Sequence, residues 1–197
     1  MTDYVDGYCE RVAPGLWGEP LNSLSNLAFL VAAVLVWRLA AGDRVGRLLA
    51  GLIGLVFVAS TVFHLLATRW AAVADSVSIL AFVLVYAALF PRVFFGWRLW
   101  WLGPPVFLAL TVVTALLGGG LYLSALIGLG LCAAILAFAR DASWPHFAVA
   151  GAVFALSLSL GTLDRDVCDY VPAGTHFLWH LLNGVVLYLV SRAAVRP

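Results

Sequence analysis

Charge is scarce in this chain of 197 residues: only 11% of the residues are charged, whereas 64% are apolar. A soluble domain has about a quarter charged residues and about half apolar ones. The low charge therefore excludes an ordinary soluble domain and predicts an integral membrane protein. The formal net charge is only +1, so the composition gives no reason to expect a nucleic-acid partner.

Seven apolar stretches are long enough to be membrane-spanning helices, which need about 20 residues each. The predicted spans are Leu21–Leu39, Leu48–Ala67, Ala71–Phe90, Leu99–Leu117, Leu121–Ala139, His146–Leu163 and Thr175–Val195. No charge separates the fourth span from the fifth, so their boundary depends on the turn that the glycine run 118–120 indicates. Pro104 and Pro105 are expected either to kink the fourth helix or to make it start late.

Lysine is absent, and all eleven basic residues are arginines that sort by loop. One side of the membrane receives Arg38, Arg44, Arg47, Arg92, Arg98, Arg140, Arg192 and Arg196. The other side receives Arg11, Arg69 and Arg165. The positive-inside rule assigns the larger group to the cytoplasm. The N-terminus is then predicted outside and the C-terminus in the cytoplasm, which requires an odd number of spans and agrees with seven.

The first twenty residues are acidic and rich in turn-forming residues, unlike the basic and then apolar pattern of a cleavable signal peptide. We therefore predict a single all-α domain, 1–197. It consists of an extracytoplasmic segment, 1–20, and a seven-helix transmembrane bundle, 21–195. The missing lysine and the abundant Ala, Leu, Gly and Arg indicate a GC-rich bacterial gene, so the expected location is a bacterial inner membrane, with the chain crossing it several times.

Two of the three cysteines are predicted on the outer side. Cys9 lies in the N-terminal segment and Cys168 lies in the loop between the sixth and seventh spans. They could form a disulfide in an oxidising compartment, or they could be two unrelated thiols, since the sequence does not give their separation. Cys132 falls within the fifth span and is expected to be a small buried apolar residue.

Five polar residues fall near the outer ends of three spans: Ser60, His64, Asp75, His176 and His180. Each has an ordinary explanation by itself. The serine could bond to a carbonyl of its own helix, the aspartate could cap its helix or reach the interface, and a histidine could be a hydrogen-bonded packing residue. Together they favour a functional cavity, because an ionisable group inside a membrane costs several kcal/mol.

Zinc hydrolysis is the chemistry that suits this set. Two histidines four residues apart share a helical face, and a third from a neighbouring helix leaves the fourth zinc position open for water. Zinc lowers the pKa of that water from 15.7 to about 7. A nearby carboxylate can take the proton, and a hydroxyl can stabilise a developing oxyanion. His146 begins the sixth span at the cytoplasmic end, so we exclude it from this site.

Several motifs occur in an order that is specific in combination. They are "YCERVAPGLWGEPLNSLSNLAF" before and within the first span, "STVFH" from Ser60 to His64, Asp75 eleven residues later, "TLDRDVCD" after the sixth span, and "HFLWH" from His176 to His180. The combination resembles the alkaline ceramidase family, within the CREST superfamily of seven-helix hydrolases. The resemblance covers nearly the whole chain.

The resemblance implies an intramembrane zinc-dependent amidase that acts on a membrane lipid. Such an enzyme cleaves the N-acyl bond of ceramide or a ceramide-like lipid and releases a fatty acid and a sphingoid or other lipid amine. By position it implies zinc ligation by His64, His176 and His180, a general base at Asp75, an oxyanion stabiliser at Ser60, and a disulfide between Cys9 and Cys168. The active site would lie toward the extracytoplasmic face.

The family's animal members also carry a calcium site, built from an Asp-Trp-Cys-Glu-x-Asn run and a later Glu. Here the run reads "GYCERV", with an aspartate displaced by one position and a valine in place of the asparagine. Calcium takes six to eight oxygen ligands. The chain could still supply ligands from Asp6, Tyr8, Glu10, Glu19 and Asn22. The alternative is a hydrated acidic segment at the mouth of the site.

Two other functions stay open. One is a lipid-sensing protein of the adiponectin-receptor or haemolysin type, with little or no hydrolysis. The other is a structural zinc protein, in which Asp75 would have to be the fourth ligand because structural sites have four. The lipid could also be an N-acylated lipid other than ceramide, since most bacteria make little sphingolipid. The sequence predicts no oligomeric state.

Overall fold

A computed structural model describes residues 3–195, and Arg196, one of the arginines predicted to be cytoplasmic, lies outside that range. The described residues form eight α-helices. These are α1 (Pro20–Ser25), α2 (Leu27–Leu39), α3 (Arg44–Leu66), α4 (Arg69–Phe95), α5 (Gly103–Leu116), α6 (Gly120–Phe138), α7 (Trp144–Leu163) and α8 (His176–Ala194). Three short 3-10 turns occur at Leu16–Gly18, Trp100–Leu102 and Asp164–Val167. Over residues 3–195 there is no β-strand, and one isolated bridge pairs Tyr4 with Thr68.

Within residues 3–195, six segments are long and apolar enough to cross a membrane. They are Pro20–Leu39, Arg44–Leu66, Arg69–Phe95, Gly120–Phe138, Trp144–Val167 and His176–Ala194. The chain is therefore an all-helical protein with the character of a multi-pass membrane protein, as its composition predicted. The fourth predicted span corresponds to a shorter apolar segment, Trp100–Leu116.

The start of α5 explains why this segment is short. The helix begins only at Gly103, after a 3-10 turn, so Pro104 and Pro105 lie in its first turn. A proline there breaks no intrahelical hydrogen bond, because the first N–H groups of a helix have no partner within it. Of the two effects expected of the prolines, the late start is the one found. The glycine run 118–120 forms the predicted turn before α6.

The hydrophobic core lies mainly among α2, α3, α7 and α8. Leu49 and Ile53 of α3 and Phe147 of α7 are fully buried in it. Helices α2 and α8 approach closely at Gly184, where an added Cβ would lie 2.9 Å from the Cβ of Ala28. Small residues allow such close approach between membrane helices. The start of α8 lies beside the C-terminal part of α3, where His180 contacts His64.

The N-terminal segment lies across the junction of α3 and α4. Helix α3 ends at Leu66 and is followed by Ala67, which has a left-handed backbone (φ 48°), and α4 begins at Arg69. The N–H of Val5 donates to the Ala67 carbonyl at 2.8 Å, and the N–H of Gly15 donates to the Leu65 carbonyl at 2.8 Å. The segment therefore covers the end of the bundle at which α3 ends and α4 begins.

A disulfide joins the N-terminal segment to the turn after α7. It links Cys9 to Cys168, with Cα atoms 5.3 Å apart, as the resemblance implied. The buried carboxylate of Asp164 reinforces this connection, because it accepts hydrogen bonds from the backbone N–H groups of Cys9 (3.0 Å), Thr175 (2.6 Å) and His176 (2.9 Å). One side chain thus ties the segment, the turn and the start of α8 together.

Candidate metal centre

Three histidines meet where α3 ends and α8 begins. His64 lies in the last turn of α3, and His176 and His180 lie in the first two turns of α8. Each offers one ring nitrogen, and these three atoms lie within 4.8 Å of one another. All three side chains are buried. Among the described residues, 3–195, these three histidines form the one group of three or more His, Cys, Asp or Glu side chains that could hold a metal ion.

The orientation of the His64 ring is set by a carboxylate. Its Nδ1 lies 2.9 Å from an oxygen of Glu19. A carboxylate can only accept, so Nδ1 carries the hydrogen and Nε2 keeps a free lone pair. An Arg11 nitrogen lies 3.4 Å from the same Nδ1, but that distance is too long to compete with the carboxylate. His64 can therefore ligate through Nε2.

A hydroxyl orients His180 in the same sense. Its Nδ1 lies 2.7 Å from Oγ of Ser25. The single hydroxyl hydrogen of Ser25 donates to the Asn22 carbonyl at 2.9 Å. The serine oxygen therefore accepts from Nδ1–H of His180, and Nε2 of that ring is also a free acceptor. Metal-binding histidines are typically held in place by a hydrogen bond from the ring nitrogen that does not bind the metal. Glu19 and Ser25 accept such bonds from His64 and His180.

The two free lone pairs face each other. Nε2 of His64 and Nε2 of His180 are 3.2 Å apart. Two nitrogens bound tetrahedrally to zinc at 2.0–2.1 Å lie about 3.3 Å apart. The spacing therefore fits a tetrahedral cation between them, with His176 as a third ligand. Imidazole also suits copper, nickel and iron, so the donor set fits a transition metal in general.

Tyr8 of the N-terminal segment covers the histidines. Its ring stacks on His176 with centroids 3.8 Å apart and lies 5.3 Å from the ring of His64. Burial raises the pKa of the Tyr8 phenol well above 10, and the nearby charge of Arg11 only partly offsets this effect. The phenol is therefore neutral at ordinary pH and can act as a hydrogen-bond donor.

A pocket of about 200 Å³ adjoins the cluster. Its polar lining consists mainly of Tyr8, Ser60, Asp75, Tyr122, His176 and His180. The Ser60 side chain lies beside the Asp75 carboxylate. Oδ1 of Asp75 is buried, and no donor within residues 3–195 bonds to it. The ordinary explanation for Ser60 was a hydrogen bond to a carbonyl of its own helix. The described contacts contain no such bond. Four of the five residues selected from the sequence, Ser60, Asp75, His176 and His180, thus line one small space. The fifth, His64, lies next to it in contact with His180.

An apolar cavity of about 560 Å³ continues from this pocket into the bundle. The two spaces share Phe29, Val56, Ile79, Tyr122 and Trp179 as lining residues. The larger one runs along α4, α5, α6 and α8, and its lining is almost entirely apolar. A cavity of this character suits a hydrocarbon chain. Cys132, a free and partly buried cysteine, lines it.

Several oxygen atoms of the residues named for calcium are engaged by the protein, whereas the buried side-chain oxygen of Asn22 has no partner within residues 3–195. The two carboxylate oxygens of Glu10 accept from the N–H groups of Leu21 and Asn22, both at 2.8 Å, at the start of α1. Both oxygens of Glu19 also have protein donors. The carbonyls of Asp6 and Tyr8 accept from Arg165 (3.1 Å) and from the N–H of Arg11 (3.3 Å). Calcium binding stays a prediction.

Three residues that support the site were not recognised in the sequence. Asp164 lies in the "TLDRDVCD" motif, and Ser25 lies in "NSLSN", so both fall in stretches that carried the resemblance without an assigned role. Arg11 was interpreted only as an outer-side basic residue, yet it is buried beside Glu19. The spacing of charges along the chain gave no sign of this, because the partners are brought together only by the fold.

No protein-family model, curated protein or solved structure matches the chain. The fold and the site by themselves define an all-helical membrane protein with a buried three-histidine cluster that could hold a metal ion.

Proposed function

We propose that this chain is an intramembrane zinc-dependent amidase of the alkaline ceramidase family, in the CREST superfamily. Its substrate would be ceramide or a ceramide-like N-acylated lipid. The products would be a fatty acid and a sphingoid or other lipid amine. The zinc ligands in this proposal are His64, His176 and His180.

One observation carries the proposal most strongly. Asp75 and Ser60 line the same pocket as His176 and His180, and one buried oxygen of Asp75 has no partner within residues 3–195. A purely structural metal site would have four protein ligands and no use for a free carboxylate oxygen beside it. The adjoining apolar cavity is the reason to prefer a lipid as the substrate.

Each polar residue has a separate role in the proposed reaction. A zinc ion held by the three imidazoles would supply an electrophile and lower the pKa of water toward about 7. Asp75 would accept the proton of the water that adds to the amide carbon, and would return it to the nitrogen as the C–N bond breaks. Ser60 would donate a hydrogen bond to the oxyanion that forms in between. Tyr8 covers the pocket and helps to exclude bulk water.

The proposed topology has seven spans, with the shorter segment Trp100–Leu116 as the fourth. Loop arginines support an outer N-terminus and a cytoplasmic C-terminus. The disulfide agrees with this orientation, because disulfides persist in oxidising compartments. The metal centre would then lie near the extracytoplasmic face of a bacterial inner membrane, and the acyl chain would extend from it into the apolar cavity.

A lipid-sensing protein with little or no hydrolysis is the second candidate. It uses the same apolar cavity, but it gives no role to the unpartnered Asp75 oxygen. An assay of fatty-acid release distinguishes the two functions. The purified protein is tested against a panel of N-acylated lipids, including ceramides of several chain lengths. Zinc content is measured on the same sample.

We expect stoichiometric zinc and release of fatty acid from at least one lipid in the panel. Both should be lost in His180→Ala and kept in His146→Ala, since His146 lies at the far end of the bundle. Stoichiometric zinc without hydrolysis of any lipid would favour the sensing function. Absence of bound metal in the wild-type protein would contradict the amidase.

A further inference from the structure

Arg11 is an unusual residue for its surroundings. It comes from the hydrophilic segment before α1, yet only 4% of its surface is exposed and its side chain is fully buried. Burying a guanidinium is unfavourable unless its charge and its N–H groups have partners. Its guanidinium lies over the ring of Phe63 at 4.7 Å and over the ring of Tyr8 at 4.8 Å, so two aromatic faces enclose it.

The donors of Arg11 converge on one carboxylate. Its Nε and Nη2 lie 2.6 and 2.5 Å from the same oxygen of Glu19, and its Nη1 donates to the Val5 carbonyl at 2.8 Å. The second Glu19 oxygen accepts from His64 Nδ1 at 2.9 Å and from the Asn22 side-chain amide at 3.1 Å. Glu19 itself has no exposed surface. One buried carboxylate thus connects a permanent cation to a histidine of the metal cluster.

We infer that Arg11 and Glu19 are positioning residues of the metal centre: Glu19 holds the His64 ring with Nε2 toward the metal, and Arg11 supplies the fixed positive charge that holds Glu19 in place. The inference rests on the metal site in the proposed function, and it is independent of whether the chain hydrolyses a lipid.

The geometry has a direct consequence for metal binding. A histidine that donates Nδ1–H to a carboxylate is fixed in one tautomer and is a stronger ligand at Nε2, and loss of such a partner typically weakens metal binding about tenfold to a hundredfold. Arg11 acts one step further away. Without it, one Glu19 oxygen would lose its donors and the carboxylate would be held less firmly against His64, so the effect of Arg11 on the metal passes through Glu19.

A structural ion pair that only anchors the N-terminal segment is the competing explanation. It predicts that changes at Arg11 and Glu19 lower the unfolding temperature without a specific change in metal binding. The two explanations therefore differ in zinc affinity and in the visible absorption of cobalt(II), which reports the coordination of the substituting ion.

The experiment uses the full chain in detergent, with zinc affinity measured by competition against a chelator of known affinity and cobalt(II) spectra recorded in parallel. The variants are Glu19→Gln, Arg11→Met and the double variant, which removes both charges together and avoids an unpaired buried charge. Arg165→Met is the matched control, because Arg165 also donates to a carbonyl of the N-terminal segment, that of Asp6, but is exposed.

We expect Glu19→Gln to bind zinc at least tenfold more weakly and to show an altered cobalt(II) spectrum, with Arg11→Met affected in the same direction. The double variant should recover unfolding temperature relative to Arg11→Met but not zinc affinity, and Arg165→Met should match the wild type within about threefold. Zinc affinity within threefold of wild type in the double variant would overturn the inference while leaving the proposed function intact. A wild-type protein that binds no zinc would overturn both.

Discussion

The Nε2 atoms of His64 and His180 face each other across 3.2 Å, and each ring already donates its Nδ1 hydrogen elsewhere. Neither nitrogen then has a hydrogen to offer the other, so the contact brings two lone pairs together in a buried site. Such an arrangement is unfavourable by itself and becomes favourable when a cation lies between the lone pairs. The support of the two rings by Glu19 and Ser25 therefore leaves both lone pairs placed where they could hold a metal ion.

Metal removal is the first prediction. A ligand that binds only the folded protein stabilises it, so the proposed function predicts that zinc at a hundred times its dissociation constant stabilises the protein by about 2.7 kcal/mol. We expect a strong chelator to lower the unfolding temperature and added zinc to restore it. His146→Ala should respond like the wild type. The same unfolding temperature with and without the chelator would contradict a metal bound between the two rings.

Asp75→Asn should separate catalysis from metal binding. The amide keeps the size of the side chain but cannot accept a proton, and loss of a general base typically lowers the rate about 10²–10⁴-fold. We expect kcat for lipid hydrolysis to fall in that range while zinc content stays at the wild-type level. The exposed carboxylate of Asp166 supplies the control variant Asp166→Asn. Loss of zinc together with activity in Asp75→Asn would indicate a fourth ligand and a structural site.

Ser60→Ala tests the proposed oxyanion donor. Removal of one such donor lowers kcat by about 10²–10³-fold. We expect that decrease with little change in KM or in unfolding temperature, because the hydroxyl has no bond to its own helix among the described contacts. Ser76 offers a matched comparison, since its hydroxyl bonds to the Ala72 carbonyl at 3.0 Å. Equal activities of Ser60→Ala and Ser76→Ala would show that Ser60 has no role in the reaction.

The sequence predicted those parts of the site that depend on local periodicity. Two histidines four residues apart share a helical face whatever the tertiary structure, and apolar runs of about 20 residues indicate spans. This is enough to select His64, His176 and His180 and to expect Ser60 and Asp75 at the same depth.

The remaining parts depend on contacts between distant positions, which periodicity does not encode. Glu19 is 45 residues from His64, and Asp164 is 155 residues from Cys9. A buried arginine is unexpected from composition, because arginines are normally exposed. The apolar cavity was invisible for another reason: an apolar residue that lines a cavity and one that packs against a neighbour look alike in a sequence.

The disulfide should matter for the site as well as for stability. It holds the segment that carries Tyr8 and Arg11 against the bundle. We expect Cys168→Ser to lower the free energy of unfolding by about 2–5 kcal/mol and to weaken zinc binding. Cys132→Ala, which removes the unpaired thiol, should keep wild-type zinc affinity. If Cys168→Ser loses stability but binds zinc as tightly as the wild type, the segment docks on the histidines without the disulfide.

Chain-length preference should respond to one glycine of α6. Gly128 lines the apolar cavity six residues beyond Tyr122, which is about 9 Å further along the helix. A Cβ added at Gly128 meets no atom within 4 Å, so Gly128→Phe would project into the cavity without disturbing the backbone. Each methylene that is excluded from burial costs about 0.8 kcal/mol, so exclusion of two should lower kcat/KM for the longest acyl chains about fifteenfold.

Gly130 is the matched control for this substitution. It lies two residues further on the same helix, is exposed rather than lining the cavity, and also has open space at its Cβ position. In an assay with lipids of graded acyl length, Gly128→Phe should lose long chains and keep short ones, whereas Gly130→Phe should keep the wild-type preference. The same preference in both variants would place the acyl chain outside this cavity. A uniform loss at all lengths in Gly128→Phe, with zinc retained, would instead indicate that the cavity receives a part of the lipid common to every member of the series.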